Sequence, residues 1–172
     1  MTLVQALPAL CLLLSLLGAC RDADDPPELQ PLASFDTTRV QIVTASDTLS
    51  LRVEVAATEE QRASGLMERP SLPADAGMLF TYTAEQPGDR GFWMYRTQIP
   101  LDIAFLDEAG RILVILAMEP CTSPDPQWCP GYPPGVPYHA ALEVNQGYFA
   151  RHGISPGDRV VLPDLPGSTP QP

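Results

Sequence analysis

Apolar residues in RVQIVTASDTLSLRVEVA recur at every second position: Val40 and Ile42, then Leu51, Val53 and Val55 beyond a polar break at Ala45-Ser46-Asp47. That period puts one side of each segment against a core and predicts a β-hairpin. The next run, TEEQ, places Gln61 three residues after Thr58, the spacing of a capping box, and predicts a short helix ending near Gly65-Leu66-Met67. SLPADAGMLF returns to strand character, with Gly77 at the bend. Phe92-Trp93-Met94 and Leu101 to Leu106 read as further strands, separated by YRTQIP, in which Pro100 holds Ile99 extended. Asp107 to Gly110 forms a reverse turn, and the unbroken apolar run from Ile112 to Met118 predicts a strand buried on both faces. CTSPDPQWCPGYPPGVP is a long Pro-rich loop, ALEV a short strand, and Asn145 a cap for the helix QGYFARH, ended by Gly153. A turn at ISPGD feeds a last strand, RVVL. Many strands and two short helices predict an α+β fold: one β-rich domain over 38–165, mostly antiparallel, with a sheet curled or barrel-like. No long helix separates the strands and no Gly-rich loop opens one, which argues against a doubly wound nucleotide-binding fold.

Outside that domain the pattern breaks down. Residues 1–19 carry no charge and are dominated by Leu and Ala, as in an export signal, and their last three residues run into Cys20 as Leu17-Gly18-Ala19-Cys20. This end resembles the lipobox of bacterial lipoproteins, and the resemblance implies lipid attachment at Cys20. Cys11 would leave with the signal. No Lys or Arg precedes the apolar block, a departure from the positively charged start of such signals. Residues 20–37 are acidic and Pro-containing and read as a flexible tether, and 166–172 as a disordered tail. The expected location is the periplasmic side of a bacterial envelope, lipid-anchored through Cys20, with a secreted soluble form as the alternative.

The chain has 21 Asp and Glu against 10 basic residues, a formal charge of -11, and all its basic residues are Arg. A field of that sign repels phosphate backbones, so no nucleic-acid partner is expected. Cys121 and Cys129 form a natural disulfide pair in an oxidising compartment, whereas a zinc site needs about four ligands. No other cysteine remains to supply them once Cys20 carries lipid.

Three segments together are similar to the DUF192 family: TEEQRASGLMERPSLPADAGMLF, FWMYRTQIPLDIAFLDEAGRI and ALEVNQGYFARHGISPGDRV, spanning roughly Leu51 to Val161. In the family's pattern Gly65-Leu66-Met67 and Arg69 follow the first helix, and Gly77 to Phe80 form the next strand. Phe92-Trp93-Met94, Thr97 and Ile99 to Ile103 make its most recognisable segment. Tyr95-Arg96 stands where the family usually has Lys-Asn. The resemblance implies a β-rich fold with a pocket near these motifs, often on exported or lipidated chains, and implies no reaction.

Asp102, flanked by Leu101 and Ile103, allows three readings: a structural ion pair with Arg69 or Arg96, a ligand contact, or an acid–base group. Glu143 in ALEV allows the same three. His139 and Glu143 are weak metal candidates: four residues apart on a strand they lie about 13 Å apart, so joint action needs a bend. His152 suits the last turn of its helix. Trp93, with other rings around the central strand and the Pro-rich loop, offers a wall for a small molecule or peptide. The ligand-binding candidates are therefore Arg69, Trp93, Arg96, Asp102 and Glu143, with no catalytic residue and no cofactor assigned. The leading expectation is a membrane-tethered, non-enzymatic accessory domain that binds a small ligand or an envelope protein. The alternatives are a small hydrolase or metal-dependent enzyme using Asp102, Glu143 and His139, and a purely structural envelope protein.

Overall fold

The computed structural model describes residues 33–163, all within one compact unit. The stretch read as an export signal, Cys20, most of the stretch read as a tether and the stretch read as a tail lie outside the described residues. Nine strands are described: β1 (Asp36–Val43), β2 (Thr48–Ala56), β3 (Ala76–Gln86), β4 (Phe92–Trp93), β5 (Leu101–Leu106), β6 (Ile112–Met118), β7 (Gly131–Tyr132), β8 (Tyr138–Asn145) and β9 (Arg159–Val161). Helix α1 (Glu59–Ser64) lies between β2 and β3, and α2 (Tyr148–Arg151) between β8 and β9. β1 starts at Asp36 and so takes in the last two residues of the stretch read as a tether.

Seven strands form one sheet in the order β6-β5-β8-β3-β2-β1-β9, and β4 and β7 form a separate ribbon. The β1–β2 hairpin has the register its alternation predicts, Val40 opposite Leu51 and Ile42 opposite Leu49. β2 and β3 are parallel, the only such pair among the seven strands, and the crossover runs through the short α1 rather than a long helix. The sheet curls until its two edges meet: the Ile112 amide donates to Asp158 and the Val160 amide to Gly110, each at 2.8 Å. Gly110 has φ +77°, and a Cβ there would lie 2.0 Å from the Val160 carbonyl, so this closure requires glycine. The result is a β-rich α+β domain built on a curled, half-barrel sheet.

Strand alternation divides the core in two. One face carries Ile42, Leu51, Val53, Leu79, Leu106 and Leu142, over which Tyr148 and Phe149 of α2 pack. The other carries Met78, Phe80, Ile103 and Phe105, covered by Leu66 and Met94 from the connecting segments. Phe92 of the small ribbon reaches this second face, with its ring 4.9 Å from Phe80 and 5.6 Å from Phe105, both edge-on.

Three expectations are corrected. β6 is an edge strand, fully buried only at Ile112 and Met118, because its apolar run borders a single neighbour, β5. The N-cap of α2 is Gly147, and Asn145 instead donates its amide to the carbonyls of Leu72 and Pro73 at 3.0 and 3.1 Å. The Pro-rich loop is also less irregular than its composition suggests. It contains a 3₁₀ turn at Pro126–Trp128, the Cys121–Cys129 disulfide, and β7, which pairs with β4.

Candidate functional site

The capping box at the start of α1 forms in full: Thr58 Oγ1 accepts from the Gln61 amide at 3.1 Å, and Gln61 Oε1 accepts from the Thr58 amide at 3.0 Å. It fixes where the helix begins and therefore where Gly65-Leu66-Met67 emerges. That segment forms one rim of a crevice over the second sheet face, with Phe92, Trp93 and Thr97 opposite. The rims are tied together. The Glu68 amide donates to the Arg96 carbonyl at 2.8 Å, and the two side chains form an ion pair. Both residues have left-handed backbone, φ +61° at Glu68 and +56° at Arg96, a conformation that L residues other than Asn and Asp seldom adopt. The Met94 carbonyl accepts from the amides of Thr97 and Cys121, so the disulfide loop braces the same rim.

Glu143 of β8 also lines the crevice. In register it lies between Met78 of β3 and Ile103 of β5, on the apolar second face. The backbone packs closely beneath it, since a Cβ at Gly77 would lie 2.5 Å from the Glu143 carbonyl oxygen. Glu143 is 4 % exposed; among the described residues no hydrogen bond or ion pair reaches its carboxyl, whose oxygens open on the crevice instead of being sealed in the core. Burial alone pushes its pKa up to about 8, because the charged form has lost water and gained no donor. Among the described residues the one cation lining the crevice, Arg62, is committed elsewhere: its guanidinium donates to the carbonyls of Ala57 (2.5 Å) and Thr81 (3.0 Å) and lies over the Tyr82 ring. The crevice has about 30 Å³ of free volume, enough for a group of one or two water sizes. Trp93, 47 % exposed, stands at its mouth.

The other candidate residues are dispersed. Asp102 pairs in register with Val144, so it lies on the opposite face from Glu143. There Oδ2 accepts from the Gly147 amide at 2.8 Å, at the start of α2. Its pKa is raised by burial, against the lowering effects of the Gly147 amide and the Arg151 charge. Its partner is therefore a backbone amide, and neither Arg69 nor Arg96 reaches it. Arg69 makes a two-pronged pair with Glu54 at 2.5 and 2.7 Å, in the wall of a second cavity of about 160 Å³. That pair raises the Arg69 pKa and leaves its guanidinium already matched. Arg96 is taken up by Glu68. His139 lies with Nδ1 4.0 Å from Glu85, and among the described residues no group of three or more His, Cys, Asp or Glu is able to hold a metal ion. The trio Asp102, Glu143 and His139 does not assemble. His152 ends α2, its ring 4.5 Å from Tyr148.

The structure thus retains Trp93 and Glu143 from the sequence candidates, brings Gly65, Phe92 and Thr97 of the family-pattern segments to the same crevice, and adds Arg62. The capping box was the signal for Arg62, which lies in the helix it starts. Thr97 reaches the crevice because the left-handed Arg96 reverses the chain.

Comparison with known proteins agrees with this architecture. A crystal structure from Novosphingobium aromaticivorans DSM 12444, of a protein of unknown function, is 33% identical with a TM-score of 0.65, covering 81% of this chain and 94% of that one. Another, from Sinorhizobium meliloti 1021, is described as a candidate transcription regulator. It is 35% identical with a TM-score of 0.64, covering 74% of this chain and 95% of that one. No curated protein matches the sequence. The family model of DUF192, described as an uncharacterized ACR, matches residues 41–162, and the chain belongs to that family.

Proposed function

We propose that this protein is a membrane-tethered envelope component whose domain binds a ligand, free or displayed by a partner protein, in the Glu143 crevice without transforming it. The observation that carries the reading is the Glu143 carboxyl, nearly fully buried, facing an opening and lacking a donor among the described residues. A buried polar group left unmatched costs on the order of 1–3 kcal/mol, and a ligand that supplies the missing donor recovers it. Acid–base chemistry has less support, because Asp102 is taken up by the Gly147 amide on the other face and His139 sits beside Glu85. The envelope location is supported by the Leu17 to Cys20 motif and by the Cys121–Cys129 bond, which suits an oxidising compartment. The description of the Sinorhizobium protein as a regulator of transcription is not carried over, since a charge of -11 repels DNA.

An NMR screen of a small-molecule library against the protein tests the crevice. Hits that move the amides of Gly65, Leu66 and Met67, and are lost when Ser64→Trp fills the rim, support the reading. A library whose hits all bind elsewhere contradicts it. For the tether, Cys20→Ser is expected to release the protein from washed membranes, and retention in the pellet would count against lipid attachment.

A further inference from the structure

We propose that the Glu143 crevice receives an alkylammonium group, with the carboxylate as counter-ion and the aromatic rim along the alkyl stem. This inference rests on the crevice being a binding site and names the chemistry of its occupant. Once ionised, a carboxylate only accepts hydrogen bonds, and among the described residues no group donates to this one, so the matching partner is rich in donors. An ammonium head has three N–H groups and no acceptor, and its size matches a space of about 30 Å³. Phe80, Phe92 and Trp93 line the approach; aromatic faces attract cations and also accept the methylene stem behind the charge.

Charge selects in the same direction. The molecule carries -11, which concentrates cations around it and disfavours anionic ligands. An anion would also meet Glu143 itself, and the one cation at the rim, Arg62, would have to leave two backbone carbonyls to receive it. The chain contains no lysine, so a second copy cannot supply the group from a side chain. The amine comes from another molecule, either a free alkylamine or a lysine presented by a partner protein.

The test uses the exported chain carrying Cys20→Ser, with the Gly65, Leu66 and Met67 amides followed by NMR at fixed ionic strength and at pH 8.5, where Glu143 is mostly ionised and an alkylammonium still holds its proton. The probes are n-butylamine, 1-butanol, butyrate and the blocked peptide acetyl-Gly-Lys-Gly-amide. The amine is expected to bind at least about tenfold more tightly than butanol, with butyrate causing no shift. Glu143→Gln, nearly isosteric, should remove that preference, leaving amine and alcohol within about twofold. Trp93→Ala, at an exposed position, should weaken the amine about fivefold and the alcohol little. Stronger binding of the peptide than of butylamine assigns the source to a partner's lysine, and equal binding to a free amine; both keep the class. Butanol or butyrate matching the amine, or Glu143→Gln leaving amine affinity unchanged, overturns the ammonium assignment while the crevice remains a binding site. Silence from all four probes also overturns it, and the library screen then decides the broader reading on its own.

Discussion

At the scale of residues, three acidic side chains show how one chemistry serves three ends. Glu54 is matched by Arg69 and Asp102 by the Gly147 amide, whereas Glu143 opens on the crevice with no donor among the described residues. Asp102 was legible as a buried carboxylate needing a partner, but its partner was not. A sequence lists candidate arginines, whereas the donor that reaches Asp102 is a backbone amide brought close by the β8–α2 turn. Asp102→Ala strands that amide and is expected to cost about 1–3 kcal/mol in denaturant unfolding. A loss below about 0.5 kcal/mol, typical of ordinary surface substitutions, would mean that the bond contributes little. Arg96 is instructive for the opposite reason. Its φ of +56° lies in the left-handed region that Arg seldom adopts, and the Glu68 amide bonded to its carbonyl holds the turn in place.

Among the elements, those made by local chemistry were readable and those made by distant pairing were not. The β1–β2 alternation and the Thr58–Gln61 box each depend on residues a few positions apart, and both form as their spacing implies. The parallel β2–β3 pair and the edge position of β6 depend on sheet order, which hydrophobic pattern does not encode: an edge run and a central run look alike. The crevice is likewise a product of three separate segments, and only Glu143 and Trp93 stood out beforehand. Because α1 sets the position of Gly65-Leu66-Met67, its cap matters to the site as well as to stability. Thr58→Ala should cost about 1 kcal/mol and broaden the amide signals of those three residues. A stability change under about 0.3 kcal/mol, well short of ordinary cap losses, would remove the cap from the argument.

For the molecule as a whole, a curled sheet with two apolar faces leaves one side closed by α2 and the other by a braced ribbon. The brace includes the Cys121–Cys129 bond, which closes a loop with a sequence separation of 8. Replacing both cysteines by Ser is expected to cost roughly 2 to 3 kcal/mol and to speed amide exchange at Trp93 and Tyr132. Unchanged exchange there would separate the bond from the crevice rim. Global stability also reports on Glu143. Its folded pKa of about 8 lies above the unfolded value of 4.5, so the folded state holds a proton that the unfolded chain has lost between those limits. Stability from this group is therefore full below about pH 4.5 and falls as pH rises to about 8, by about 1.4 kcal/mol per unit at most. The most direct measurement is urea unfolding of the wild type and Glu143→Gln across pH 4 to 9. The account predicts near-equal dependence on all other groups and a Gln advantage that grows by a few kcal/mol toward pH 8 before levelling. A difference that stays constant above about pH 5 would mean that Glu143 titrates as an ordinary carboxylate, and the unmatched buried acid at the centre of the site would not exist.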